Sequence, residues 1–260
     1  MASWSTRRQL TYFFGFFAVL ITVLALVAAM FWPKPSCQDR RRNQNEKGID
    51  CGGPPVGGCS AVCANEALPM RALWARVLPI GAGAYDLVAF ISNPNSDLLA
   101  NKLPYEIKFV DQNNTLINSV RGDFSFWPGE DFPIFVPNIN VGRLIPARAY
   151  VDLLGAPRWE RSSSSLPIVG LAVTDDNFTN TPTPILKARL TNNSLKPVAK
   201  IDVTALLSDA EHNVFAASAT FVEQLGANET VDISFLWPRP FPSPPAFTEF
   251  YSHVAIEPTQ

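Results

Sequence analysis

The hydropathy pattern divides the chain into one long apolar block and a series of short alternating ones. Thr11 to Trp32 (TYFFGFFAVLITVLALVAAMFW) runs for 22 residues without a charge. A helix of that length rises roughly 33 Å, enough to cross a hydrocarbon core of about 30 Å. A single transmembrane helix is therefore predicted over 11–32. Beyond residue 68 the pattern changes to short strand-like segments: Ala72–Leu78, Tyr85–Ile91 and Tyr105–Val110, then Thr115–Val120, Phe132–Val136 and Ala147–Leu153. Gly81-Ala82-Gly83, Asn93-Pro94-Asn95 and Asp111-Gln112-Asn113-Asn114 supply turns between them. This rhythm predicts an antiparallel β-sandwich.

The rhythm recurs in the second half. Ala89-Phe90-Ile91-Ser92-Asn93 parallels Ala188-Arg189-Leu190-Thr191-Asn192 at an offset of 99, and the Asp111 turn parallels the Asp209–Asn213 turn at 98. Gly129-Glu130-Asp131 also parallels Gly226-Ala227-Asn228-Glu229, ahead of a strand over Thr230–Phe235. Phe126-Trp127-Pro128 conflicts with this register, because it looks most like Leu236-Trp237-Pro238 at an offset of 110. The organisation implied is a short N-terminus over 1–10, the helix over 11–32 and a cysteine-bearing collar over 33–67. One sandwich is expected over 68–158, a serine-rich linker over 159–166 and a second sandwich over 167–260.

The collar is the most motif-like stretch. Its cysteines, Cys37, Cys51, Cys59 and Cys63, are the four the chain possesses. Cys37, Asp39, Asn43, Gln44, Glu46, Gly48, Asp50, Cys51, Gly52 and Gly53 resemble the cysteine-rich segment C-x-D-G-x-x-N-Q-x-E-x-G-x-D-C-G-G of bacterial envelope and secreted proteins, with Arg40 where that pattern has glycine. Disulfides are the leading chemistry, since so small a segment cannot bury a core. Four thiolates could also hold zinc, although Cys-x2-Cys knuckles are missing. Asp39, Asn43, Asn45, Glu46 and Asp50 offer oxygen ligands for calcium, without EF-hand spacing. Sequence does not choose among the three pairings that four cysteines allow. The tandem β-rich segments resemble immunoglobulin-like modules of bacterial surface proteins and the FxLYD-like and late-embryogenesis-abundant sandwiches. The fold class implied is an all-β ectodomain of two tandem antiparallel β-sandwiches plus one N-terminal transmembrane α-helix.

Charge adjusts this picture at two points. Residues 1–36 carry Arg7, Arg8 and Lys34 and no acid, leaving 18 basic residues against 23 acidic ones in the remainder. That balance argues against a nucleic-acid partner. Lys34 and Arg40 to Arg42 follow the apolar run more densely than Arg7 and Arg8 precede it, so charge alone favours export of the N-terminus. The clustered cysteines, which suit an oxidising compartment, decide for the opposite: N-terminus inside, bulk outside, at the cell membrane. The run is longer than the ~7–15-residue core of a cleaved signal peptide and ends in Met30-Phe31-Trp32, which favours retention as a signal-anchor.

Candidate chemistry is sparse. His212 sits in a polar turn and His253 in the last strand, neither within a metal or nucleophile motif. Serines 162 to 165 are not embedded in Gly-x-Ser-x-Gly, and the pair Asp175-Asp176 lies in a polar stretch. No catalytic residue, cofactor or metal site is assigned. The recognition candidates are Trp127, Trp237, Pro238 and Phe241, large apolar groups beside stiff proline-bearing loops, each of which could equally fill a sandwich core. The function expected is display of two domains for protein interaction, adhesion or envelope assembly, with the bilayer contacted through Thr11 to Trp32. The alternative is a membrane-tethered hydrolase, or an accessory subunit of an envelope enzyme or secretion complex.

Overall fold

A predominantly apolar sequence forms the helix α1, Trp4–Phe31, the one α-helix of a computed structural model that describes residues 4–31, 36–43, 45–53, 59, 62–81, 83–162 and 170–256. The expected span coincides with α1 as far as Phe31, and the helix begins earlier, at Trp4. Phe13, Phe14, Phe16, Ile21, Leu24 and Leu26 all stand exposed, so its apolar surface is not confined to one stripe. Among the described residues, no helix is long and apolar enough to cross a membrane. The described helix therefore gives the expected membrane span over 11–32 no support.

The chain divides into two compact units, 1–59 and 60–260. The second opens with a short 3-10 turn, Ala64–Glu66, and its strands all pair antiparallel. Its first half holds β1 (Arg71–Gly81), β2 (Ala84–Ser92), β3 (Leu98–Val110), β4 (Leu116–Phe126), β5 (Asp131–Asn140), β6 (Arg148–Leu153) and β7 (Arg158–Arg161). The second half holds β8 (Leu171–Thr179), β9 (Ile185–Asn192), β10 (Val198–Ser208), β11 (Val214–Leu225), β12 (Thr230–Leu236) and β13 (Phe247–Val254). The sheets are β1-β2-β5 and β4-β3-β6 in the first half, β8-β9-β12 and β11-β10-β13 in the second. The order is the same in both, a sandwich-like arrangement built twice. β7 is an addition, pairing Leu98–Asn101 of β3. The linker expected from residue 159 therefore starts as a strand, because Trp159 is buried in the first core. Residues 163–169 lie outside the described ones.

Hydrogen bonds settle the register that the Trp-Pro strings left in conflict. Asn93 Nδ2 donates to the Leu98 and Trp127 carbonyls, and its Oδ1 accepts the Asn95 N–H. Asn192, 99 residues on, donates to the Lys196, Leu225 and Gly226 carbonyls and accepts the Ser194 N–H. Glu130 Oε2 takes the Trp127 N–H at 2.7 Å, and Glu229 Oε2 takes the Gly226 N–H at 2.6 Å. Gly129 and Asn228 fill the left-handed position in these turns, with φ of 68° and 58°. Trp127 thus corresponds to Gly226. Trp237 follows β12 and has no counterpart in Trp127, which precedes β5.

Each half has its own core. Leu87, Ala89, Ile91, Ile107 and Phe126 anchor the first, and Leu186, Leu190, Ile201, Val203 and Phe235 the second. A third cluster, Leu78, Val88, Phe90, Leu206 and Ala217, joins them. In β2, Asp86, Val88 and Phe90 point away from the first core; in β10, Leu206 points away from the second. The outer face of β1-β2-β5 is therefore packed on the outer face of β11-β10-β13, which buries β2 and β10 on both sides.

Candidate functional site

The collar loop is held by its acidic side chains. Asp50 accepts the Arg40 N–H with both oxygens (3.1 and 2.9 Å), and Asp39 Oδ1 accepts the Arg41 N–H at 2.8 Å. Glu46 Oε2 takes the N–H groups of Asn43 and Asp50. These motif positions substitute for a backbone ladder in a segment with hardly any strand pairing. The Asn43 amide at 2.6 Å holds the Asp39 carboxyl below its ordinary range. Cys37 bonds Cys59, with S–S 2.03 Å and Cα atoms 5.6 Å apart. Cys51 and Cys63 are disulfide-bonded as well, and no cysteine among the described residues is free. Cys37, Glu46 and Cys59 bring potential ligand atoms within 4.8 Å of one another. Both sulfurs are committed to the disulfide and have no thiolate to offer, which removes the zinc reading. Asp39 and Asp50, offered for calcium, accept backbone N–H groups, as does Oε2 of Glu46, whose Oε1 lies 2.9 Å from Cys59 Sγ, and Asn43 gives its amide to Asp39.

The four recognition candidates separate. Trp237 is buried in the second core, its indole N–H donating to the Ala217 carbonyl at 2.8 Å. Phe241 packs at the margin of that core against Phe215 and Trp237. Asn180 pins its backbone from both sides, donating to the Phe241 carbonyl and accepting its N–H. Pro238 is exposed. Together with Leu78, Ile80 and Arg239 these residues line a cleft of about 300 Å³ where the two halves meet. Arg239 Nε donates to the Ile80 carbonyl at 3.0 Å, and its guanidinium occupies the space a Cβ would need at Gly81, where φ is 121°. Asp86 also lines the cleft; burial pushes its carboxyl up, opposed by the hydrogen bond from the Asn138 N–H.

Trp127 lies elsewhere on the joint. Its indole N–H donates to the Val254 carbonyl at 2.8 Å, across the two halves. Beside it the buried His253 meets the buried Glu130, Nδ1 to Oε1, at 2.8 Å. The imidazole rests on the Phe124 and Phe132 rings at 4.5 and 5.2 Å between centroids. His253 is thus a strand histidine at an internal contact. Its alternating neighbours Tyr251 and Ala255 give no hint of this, since the pattern reports one buried face and not what covers the other. His212 occupies a left-handed turn position and stacks on Phe247. Asp175 and Asp176 have side chains outside the described ones.

A scan against protein families found none that matches the chain, and a search of curated proteins found no match.

Proposed function

We propose that the protein is a non-catalytic, single-pass membrane protein with its N-terminus inside, displaying two immunoglobulin-like β-sandwiches on the extracytoplasmic side for protein interaction, adhesion or envelope assembly. One observation carries this reading: described apolar side chains of α1 stand exposed around the helix, an arrangement that water penalises and lipid does not. The helical backbone continues for 28 residues, and residues 11–32 hold no charge. Two disulfides in a small collar favour an oxidising compartment for the collar and the strands beyond it. The cleft lined by Trp237, Pro238 and Phe241 is the surface on which we place partner binding, its proline loop held rigid by Asn180 and Arg239.

Two measurements test the reading. The protein is expected to stay with membranes through an alkaline carbonate wash, and a cysteine added near residue 256 to label in intact cells with an impermeant maleimide. Release by the wash, or labelling only after the membrane is opened, overturns it. In-cell cross-linking from a photoreactive residue at position 238 is then expected to capture a defined envelope protein, and loss of that adduct in Phe241→Ala locates the contact.

A further inference from the structure

The apolar cleft between the halves carries one acid among its lining residues, Asp86. We infer that the cleft reads a lysine: the ammonium of a lysine side chain on a partner protein pairs with Asp86, while its apolar stem lies along Pro238 and Phe241. The inference rests on partner binding at this cleft.

Asp86 is 6% exposed. Its Oδ1 accepts the N–H of Asn138, a left-handed residue (φ 56°) where the pairing of β2 with β5 is irregular. That role accounts for one oxygen. Among the described residues nothing donates a hydrogen bond to Oδ2, and no cation draws the carboxyl down: burial raises it, and the Asn138 N–H alone opposes. The sandwich itself does not call for an acid here. Ile185 holds the corresponding place in β9, at the same offset of 99 that relates Asn93 to Asn192. A carboxylate withdrawn from water without a counter-charge carries a cost that a cation seated beside it offsets.

The remaining walls select among cations. Phe215, Trp237, Pro238 and Phe241 offer apolar surface to a chain of methylenes ending in a charge, the form of a lysine side chain. An arginine fork is best met by two carboxylate oxygens, and here Asn138 already engages one; an ammonium is a point charge that needs no such pair. Arg239 is the one cation lining the cleft among the described residues, and it is held aside. Its Nε donates to the Ile80 carbonyl and its guanidinium lies over Gly81, which leaves Asp86 uncovered. The cleft volume of about 300 Å³ suits one inserted side chain.

The test uses the full chain in nanodiscs at neutral pH. n-Butylammonium serves as the lysine probe, 1-butanol as its uncharged counterpart and n-butylguanidinium as the arginine probe, with binding read from the NMR signal of the Trp237 indole N–H. Butylammonium is expected to bind at least about tenfold more tightly than 1-butanol, the ratio that a charge-assisted hydrogen bond supplies, and more tightly than butylguanidinium. The advantage over 1-butanol is expected to vanish in Asp86→Asn, which keeps an oxygen for the Asn138 N–H. Equal binding of butylammonium and 1-butanol overturns the proposal, as does an advantage that survives Asp86→Asn; tighter binding of butylguanidinium overturns the assignment to lysine. Should Asp86→Asn fail to fold, the three probes on the wild type decide. Cross-linking from position 238 tells the two levels apart: no adduct from the wild type overturns partner binding at the cleft, whereas an adduct that persists in Asp86→Asn overturns the lysine contact alone.

Discussion

Asn192 is fully buried and makes four hydrogen bonds to backbone groups of two segments, 194–196 and 225–226. Removing its amide takes a donor from the Leu225 and Gly226 carbonyls, at about 1–3 kcal/mol for each buried group left unsatisfied, while the Lys196 carbonyl keeps the Ser194 hydroxyl. Asn192→Ala is therefore expected to destabilise the protein by at least about 2 kcal/mol in urea unfolding, whereas an exposed asparagine such as Asn118 is expected to tolerate alanine. Asp86 carries the opposite sign of cost. Burial raises its folded value above the unfolded one, so its contribution to stability is full below the unfolded value and is lost as pH rises through the folded one. Asp86→Asn keeps an oxygen for the Asn138 N–H and does not titrate. Its stability relative to wild type is expected to rise between pH 3 and 7, read from the pH dependence of the unfolding midpoint. The paired asparagines are legible in the sequence as matching strings. What they bond is not, because the donors' targets lie up to 34 residues away.

At the scale of elements, strands β2 and β9 occupy the same place in the two halves but differ in pattern. β9 alternates buried and exposed along Leu186–Asn192, while β2 is buried from Asp86 through Ile91. The continuous apolar run Leu87-Val88-Ala89-Phe90-Ile91 in β2, and the one in β10, are sequence traces of burial on two faces. Reading them as ordinary strands of a two-layer sandwich locates the elements and misses the joint. Leu206 is the direct probe: it is 1% exposed and belongs to the cluster between the halves. Leu206→Ala is expected to cost about 2–5 kcal/mol, the range for a buried leucine left as a cavity, measured by chemical denaturation. β7 escapes a sequence reading for a different reason, since Arg158-Trp159-Glu160-Arg161 presents one apolar residue among three charged ones and runs into serines. Pairing with β3 and burial of Trp159 outweigh that composition.

At the scale of the molecule, the helical region, the disulfide-bearing collar and the β-rich remainder are each visible as a change of pattern along the chain. The arrangement of the halves is not, because it depends on which face of which sheet turned apolar. The first half contributes its β1-β2-β5 sheet to the joint and the second its β11-β10-β13 sheet, the counterpart of β4-β3-β6. The contact is thus heterologous, the kind that in principle propagates head to tail without closing. The two outer faces that would carry such a chain onward are largely polar, with Tyr150 and Leu236 the large apolar exceptions. Lys108–Asp152 and Arg121–Glu106 ion pairs cover one, and Lys187, Arg189, Asp232 and Ser234 are exposed on the other. Like the capping repeats of a solenoid, charged faces of this kind oppose the stacking of another module against them, which works against growth of a self-extending arrangement into a fibre.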